Sequence, residues 1–309
     1  MNNKYDAIVL GAGPAGLTAG IYLSRARLSV LIVDSGTAGG QMVMSYAVAN
    51  YPGVETTSGW NISQTMLRQA KSFGCKVLTQ SPVLSIDLSN ELKSVEIEDE
   101  GTFYAKAVIL ATGGVPRELG MKSEQKYKGI GISYCATCDG DFFTGKEVVA
   151  IGGGNSALEE AVGLTKYASK VTIVHEFDHF QAQPWIVQEA RQNEKIHFLM
   201  AQDIIDFTGD EHLEKVIVAS KSTGVKTEIP ASGCFIFIGY VPNTSIFKGT
   251  IDMNDRGEVL TDQFMKTNVP GVYAAGDLRE KRYRQITTST ADGTIAALSA
   301  IEFLQQKNN

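Results

Sequence analysis

Residues 11–16 read Gly-Ala-Gly-Pro-Ala-Gly, directly after the apolar run Ala7-Ile8-Val9-Leu10 and before an Ala- and Leu-containing stretch that runs to about Arg25. A short buried strand, a glycine turn and a helix in that order leave the chain few ways to fold. Gly11 permits the tight turn. Gly13 lets a pyrophosphate approach the backbone, and Gly16 lets the helix pack closely on the sheet. Pro14 and Ala15 lie within the same turn. The next apolar run, Val30-Leu31-Ile32-Val33, ends on Asp34, an acid placed to accept a hydrogen bond from a ribose hydroxyl. Strand, turn, helix, strand and acid together predict a dinucleotide-binding unit.

The same device occurs twice. Glu147-Val148-Val149-Ala150-Ile151 leads into Gly152-Gly153-Gly154-Asn155-Ser156-Ala157, with alanine in the place of the third glycine. The following strand, Lys170–Val174, ends on His175. Gly11 to Asp34 and Gly152 to His175 are both 23 positions, so the two units are in register as an internal duplication. Between them, Ala107-Val108-Ile109-Leu110-Ala111-Thr112-Gly113 reads as another buried strand ending in a glycine turn. Residues 74–106 read as a small β insert, because polar and apolar residues alternate through Val95-Glu96-Ile97-Glu98. Buried strands are also expected at 233–238 and 271–275, and a last helix from about Thr287 to Gln306. The expected fold class is α/β, with two Rossmann-like domains of three ββα layers, the second inserted in the first.

A chain of 309 residues with net charge −6 excludes a generally basic nucleic-acid or anionic-membrane binder. No apolar run reaches the roughly 18 residues of a membrane span. The first residues run straight into a strand without a targeting series, so a cytoplasmic setting is expected. Two of the four cysteines, Cys75 and Cys234, stand alone and read as buried core residues. The other two form Cys135-Ala136-Thr137-Cys138, followed by Asp139-Gly140. Such a pair cycles between dithiol and disulfide, and Asp139 is placed to give or take a proton. The competing reading is half of a zinc site. It lacks a second ligand pair, and no metal is expected.

Taken with Gly39-Gly40-Gln41, Asn50-Tyr51-Pro52-Gly53, Gly276-Asp277 and Arg284-Gln285, these motifs occur in an order that resembles the low-molecular-weight, bacterial-type thioredoxin reductases over essentially the whole chain. The resemblance implies an FAD domain made of residues 1–115 and 246–309, and an inserted nucleotide-binding-like domain, 116–245, that carries the redox pair. It implies a homodimer that reduces thioredoxin through FAD. The first glycine turn and Asp34 would hold the ADP half of FAD. Gln41 and Asn50 would lie near the isoalloxazine, and Asp277 near the ribityl or pyrophosphate region. Arg284 and Gln285 would face the pyrimidine edge, and Gly40, Thr112, Gly113 and Gly276 complete the implied set. Cys138 would be the flavin-facing thiol, Cys135 the thiol that attacks the partner disulfide, and Asp139 the acid–base group.

One segment departs from the pattern. Family members that use NADPH follow the second strand with His-Arg-Arg-x-x-x-Arg. This chain has His175-Glu176-Phe177-Asp178-His179-Phe180-Gln181, so all three arginines are replaced. A carboxylate about 4 Å from the 2′-phosphate costs on the order of 4 kcal/mol at an effective dielectric near 20. NADPH is therefore not the expected donor. The chain is then similar in character to the ferredoxin-dependent flavin thioredoxin reductases of clostridia. The basic run Arg279, Lys281, Arg282, Arg284 could steer an acidic ferredoxin, against the plainer reading of a solvated loop with one flavin-contacting arginine. NADH is the alternative donor, with Glu176 on its 2′-hydroxyl. A flavin redox sensor is the non-enzyme alternative, although a sensor has no need of Asp139.

Overall fold

In the computed structural model, which describes residues 3–45 and 48–306, the chain forms two compact units. The first runs up to Val115 and resumes at Val241, and the second is Pro116–Tyr240. In the first lie β1 (Lys4–Leu10), α1 (Pro14–Arg25), β2 (Val30–Val33), α2 (Gly59–Ser72), β3 (Lys76–Leu78), β4 (Val83–Asp87), β5 (Lys93–Ile97), β6 (Gly101–Leu110) and the start of β7 (Gly114–Pro116). The second holds α3 (Lys122–Tyr127), β8 (Ile132–Ser133), α4 (Ala136–Asp139), β9 (Glu147–Ile151), α5 (Asn155–Leu164), β10 (Lys170–Val174), α6 (Pro184–Gln192), β11 (Ile196–Leu199), β12 (Gln202–Thr208), β13 (Lys215–Ser220), β14 (Lys226–Pro230) and β15 (Gly233–Ile236). The chain returns through β16 (Tyr240–Pro242) to β17 (Val272–Ala274) and α7 (Ile286–Gln306).

The main sheet of the first unit has strand order β3-β2-β1-β6-β5-β4. β1, β2, β3 and β6 are parallel, and β17 joins the second half of β6 in parallel. Its central strands are buried on both faces, and their side chains alternate between two cores. Ala7, Val9, Ile32 and Ile109 pack toward α1 and α7, while Ile8, Leu10, Leu31 and Leu110 pack on the other side. Lys76–Leu78 is not part of the β insert predicted for 74–106. It is the parallel edge strand, paired to Leu31–Val33. The insert proper is the antiparallel set of β4, β5 and the first half of β6.

The second unit repeats the plan with parallel order β11-β10-β9-β15-β8 and a separate antiparallel sheet β12-β13-β14. Cys234 is fully buried among Val149, Ile151 and Ile236, and Cys75 packs beside α1, where its thiol lies 3.1 Å from the Ser24 hydroxyl. Both fill core space, as their isolation in the sequence implied. β7 and β16 pair with each other as a two-stranded ribbon. Just inside the second unit, the Arg117 N–H donates to the Gly239 carbonyl at 2.9 Å, and in the first the Asn243 N–H donates to the Gly113 carbonyl at 2.9 Å. Among the described residues, no helix is long and apolar enough to cross a membrane.

Candidate active site

The first glycine turn sits at the carboxyl end of β1. Gly11 has φ +109°, and a Cβ there would lie 2.2 Å from the Ala111 carbonyl oxygen. A Cβ on Gly16 would lie 1.8 Å from the Gly11 oxygen, so helix, turn and sheet meet at glycine only. Gly13 is different. It caps α1 with no side-chain hydrogen bond, and a Cβ there would meet only the Gly40 Cα at 3.9 Å. The space beside Gly13 and Gly40 is therefore open to a ligand, and it faces the unsatisfied first N–H groups of a 12-residue helix. Pro14, Ala15 and Gly16 form the first turn of that helix. The Asp34 carboxylate accepts from the Ala12 N–H at 2.6 Å and from the Gly36 N–H at 2.8 Å, which pins the acid beside the turn.

Other predicted residues gather at the same end of the sheet. A Cβ on Gly276, φ +87°, would press on the Ala15 side chain at 2.9 Å. The Asp277 carboxylate accepts from the Ser289 hydroxyl at 3.0 Å. Burial pushes the Asp277 carboxyl up, against the opposing pull of Lys281 and Ser289. Asn50 and Gln285 are brought within 3.5 Å of each other, side chain to side chain. Thr112 donates its hydroxyl to the Asn243 carbonyl, next to Gly113 at φ +61°. Gln41 is exposed in the short 3-10 turn that Gly40 opens. An uncapped helix end, an acid beside the turn and a half-buried acid at the far strand end fit a flavin dinucleotide, with Gly13, Asp34 and Asp277 as the groups that would hold it.

The basic run after Asp277 does not form the patch expected of it. Arg279 pairs with Asp292 at 3.2 Å and Lys281 with the same acid at 2.8 Å, while Arg284 pairs with the buried Glu258. Arg282 lies over the Tyr283 ring, 5.4 Å from its centroid. Three of the four charges are thus answered within the first unit. Asp292, on α7, and Glu258, ahead of the run, both lie outside it in sequence, and nothing local announces the pairing.

In the second unit, Cys135 and Cys138 form a disulfide across the single turn of α4. The Cys135 sulfur accepts from the Cys138 N–H at 3.2 Å. The Asp139 carboxylate accepts from the Ser133 hydroxyl at 2.5 Å, and the Ser133 oxygen accepts from the Cys135 N–H at 3.1 Å. Burial raises the Asp139 carboxyl above its ordinary range, the Ser133 hydrogen bond opposes this, and Asp141 adds to the rise. Upstream, the Tyr134 hydroxyl donates to Glu124 at 2.8 Å. Glu124 is fully buried and also accepts from the N–H groups of Leu119, Gly120 and Met121. On α5, burial lifts the Glu160 carboxyl, while Thr137 and the Ala136 N–H hold it as an acceptor. Ser133, Glu124 and Glu160 were not singled out by sequence. Their only signal is a polar residue at a position that the strand and helix patterns leave buried.

The second glycine turn keeps the backbone of the first. Gly152 has φ +137°, and a Cβ there would meet the Phe237 carbonyl oxygen at 2.5 Å. Gly154 caps α5 with no side-chain hydrogen bond and has open space beyond it. What surrounds the turn differs. The His175 ring lies on Gly153, 2.3 Å from where a Cβ would be, and is 4% exposed. Phe177 meets it edge-on at 5.4 Å and Phe180 stacks on it at 6.0 Å. The Gln181 N–H donates to the Gly153 carbonyl at 2.9 Å. Glu176 is exposed and pairs with Lys221 at 3.6 Å, and Lys221 also lies over the Phe177 ring. Lys221, invisible to the sequence argument, offsets part of the Glu176 charge.

A family model described as pyridine nucleotide-disulphide oxidoreductase matches residues 5–293. A thioredoxin reductase from Peptoclostridium acidaminophilum is 42% identical over 312 residues, 99% of this chain and 98% of its own. A "34.2 kDa protein in rubredoxin operon" from Clostridium pasteurianum is 42% identical over 304 residues, 98% of each chain. The crystal structure of thioredoxin reductase from Streptococcus pyogenes superposes with TM-score 0.95 at 37% identity, covering 99% of this chain and 100% of that one.

Proposed function

The chain belongs to the pyridine nucleotide-disulphide oxidoreductases, among the low-molecular-weight thioredoxin reductases, and from that premise we propose that it reduces thioredoxin through Cys135 and Cys138 with electrons from a donor other than NADPH. It is a flavoprotein oxidoreductase, and bound FAD supplies the two electrons that open the disulfide. In this reading Gly13, Asp34 and Asp277 hold the FAD, with Asn50, Arg284 and Gln285 at its reactive end. Two electrons and two protons convert the Cys135–Cys138 disulfide to two thiols. The Cys135 thiol gives its proton to the Asp139 carboxylate, and the resulting thiolate attacks the thioredoxin disulfide. One sulfur of thioredoxin leaves as a thiolate and takes a proton from Asp139. Cys138 attacks the Cys135 sulfur of the mixed disulfide, releases the second thioredoxin thiol and re-forms the pair. We place this chemistry in the cytoplasm, in a homodimer.

The observation that carries the donor reading is the environment of the second glycine turn. The three positions expected to carry arginine hold a carboxylate paired with Lys221, an aromatic ring and a glutamine tied to the turn through its backbone. None offers the forked donor that a 2′-phosphate needs. A ferredoxin is the preferred donor, and a relative from a rubredoxin operon is in keeping with a small redox protein in that role. The pairing of Arg279, Lys281 and Arg284 removes the steering argument but not the donor argument. NADH is the second reading, favoured by the open space at Gly154.

Anaerobic addition of NADPH, NADH or photoreduced ferredoxin to the yellow protein, with thioredoxin present, separates these. Ferredoxin is expected to bleach the flavin. Rapid bleaching by NADPH would refute the donor reading, and bleaching by NADH alone would select the second.

A further inference from the structure

Ser133 is 8% exposed at the end of β8, two residues before the redox pair. A hydroxyl has one proton and two acceptor lone pairs. Two acceptors lie near that proton, the Asp139 carboxylate at 2.5 Å and the Cys135 carbonyl at 3.4 Å. The shorter contact lies in the range of a hydrogen bond to a charged oxygen, so the proton belongs to Asp139. The Ser133 oxygen meanwhile accepts the Cys135 N–H at 3.1 Å. One buried hydroxyl therefore joins the acid to the backbone of a cysteine.

We propose that Ser133 is the positioning residue of the dithiol site, fixing the Asp139 carboxylate relative to Cys135 and favouring its charged form. The inference rests on the reading of Asp139 as the acid that protonates the departing thiolate. A hydrogen bond donated to a carboxylate stabilises the ion and lowers the carboxyl's proton affinity, opposing the burial that raises it. Ser133 thus sets the acid between two faults. Without the hydroxyl, the carboxyl would hold its proton into a higher pH range and would swing free of the cysteine turn. Of the titratable groups near the turn, Asp141 follows α4 and acts on Asp139 by charge, Glu160 on α5 is held by Ala136 and Thr137 beside Glu159, and Tyr134 is engaged by Glu124. None donates to Asp139.

The test is a carbon-13 titration of the aspartate carboxyls in the oxidised holoprotein, with the Asp139 signal identified by its loss in Asp139→Asn. Ser133→Ala and Ser133→Gly are expected to move the Asp139 midpoint upward by about 1–2 pH units, the loss of one hydrogen bond to a charged group. Ser133→Thr, which keeps the hydroxyl, is expected to return it to the original value. An unmoved midpoint in the folded Ala or Gly variant would overturn the proposal. Thioredoxin turnover against pH reads the underlying premise separately. If Asp139 is the acid, the high-pH limb follows the same midpoint and disappears in Asp139→Asn. If the limb ignores Asp139→Asn while the carbon-13 midpoint still moves with Ser133, the acid role fails and the placement by Ser133 stands.

Discussion

The two glycine turns share a backbone and differ in their surroundings. Both end a parallel strand with a glycine that no side chain could replace, and both open a helix with a glycine that leaves its N-terminus uncapped. At the register position after the second strand, one has Asp34, which takes two backbone N–H groups. The other has His175, whose buried Nε2 has no hydrogen-bond partner among the described residues and whose ring is packed between Phe177 and Phe180. The first is arranged as a polar cradle and the second as an aromatic stack. A glycine fingerprint therefore reports how strand and helix are joined. The residues one strand later decide what surrounds it, two backbone N–H groups on a carboxylate in one unit and two aromatic rings on an imidazole in the other.

The sharpest division between the units is Cys138→Ser. It is expected to leave FAD stoichiometry unchanged and to abolish thioredoxin reduction, measured by insulin or thiol-release turnover. Retained turnover would separate the second unit from the electron path.

Gly13→Ala and Gly154→Ala come next, because neither new methyl meets a protein atom closer than 3.9 Å. Any steric effect must then come from a ligand. Gly13→Ala is expected to weaken FAD binding by about tenfold or more through overpacking, with the apoprotein melting temperature unchanged. Gly154→Ala is expected to change nothing, and a selective loss of NADH-driven turnover would restore the second turn as a nucleotide site.

Asp34→Ala and His175→Ala should fail in opposite ways. The first is expected to lower FAD affinity by about 1.5–3 kcal/mol, measured by flavin fluorescence on dilution. The second leaves a hole in an aromatic cluster and is expected to cost about 2–4 kcal/mol in urea unfolding, with FAD retained.

The smallest effect is in pH. Burial holds the His175 imidazole below its ordinary 6.5. The unfolded chain then binds more protons than the folded one just below that value, so this contribution to stability is present above pH 6.5 and is lost as the pH falls. Asp277 has the opposite sign. Its carboxyl is raised from 3.8, so its contribution is present at low pH and lost as the pH rises past that value. Urea midpoints between pH 7.5 and 5.5 should fall in the wild type and fall less in His175→Phe. Equal slopes would mean that the ring does not titrate on unfolding.

The strands, both turns and the redox pair were legible because each depends on a dozen neighbouring residues. β3 was expected as a strand but assigned to the insert, because three residues carry too little alternation to separate a parallel edge strand from the antiparallel segment that follows. The pairing of Arg279, Lys281 and Arg284 was not legible for another reason. Asp292 and Glu258 answer those charges from a helix and a loop brought in by the tertiary fold. Ser133 and Lys221 escaped in the same way, since a single polar letter acquires meaning only from what lies across the space from it.

The bond between Arg117 and Gly239 has a further consequence. It brings the two ends of the inserted unit side by side. For the first unit, everything from Pro116 to Tyr240 is a single surface loop between β6 and β17. A loop's closure entropy grows slowly, by about 0.6 kcal/mol for each doubling in length, and a folded loop with its ends already clasped escapes most of that. The insert is in this sense a cassette. It can be exchanged, enlarged or refitted at its second turn while the first unit's sheet keeps its own register.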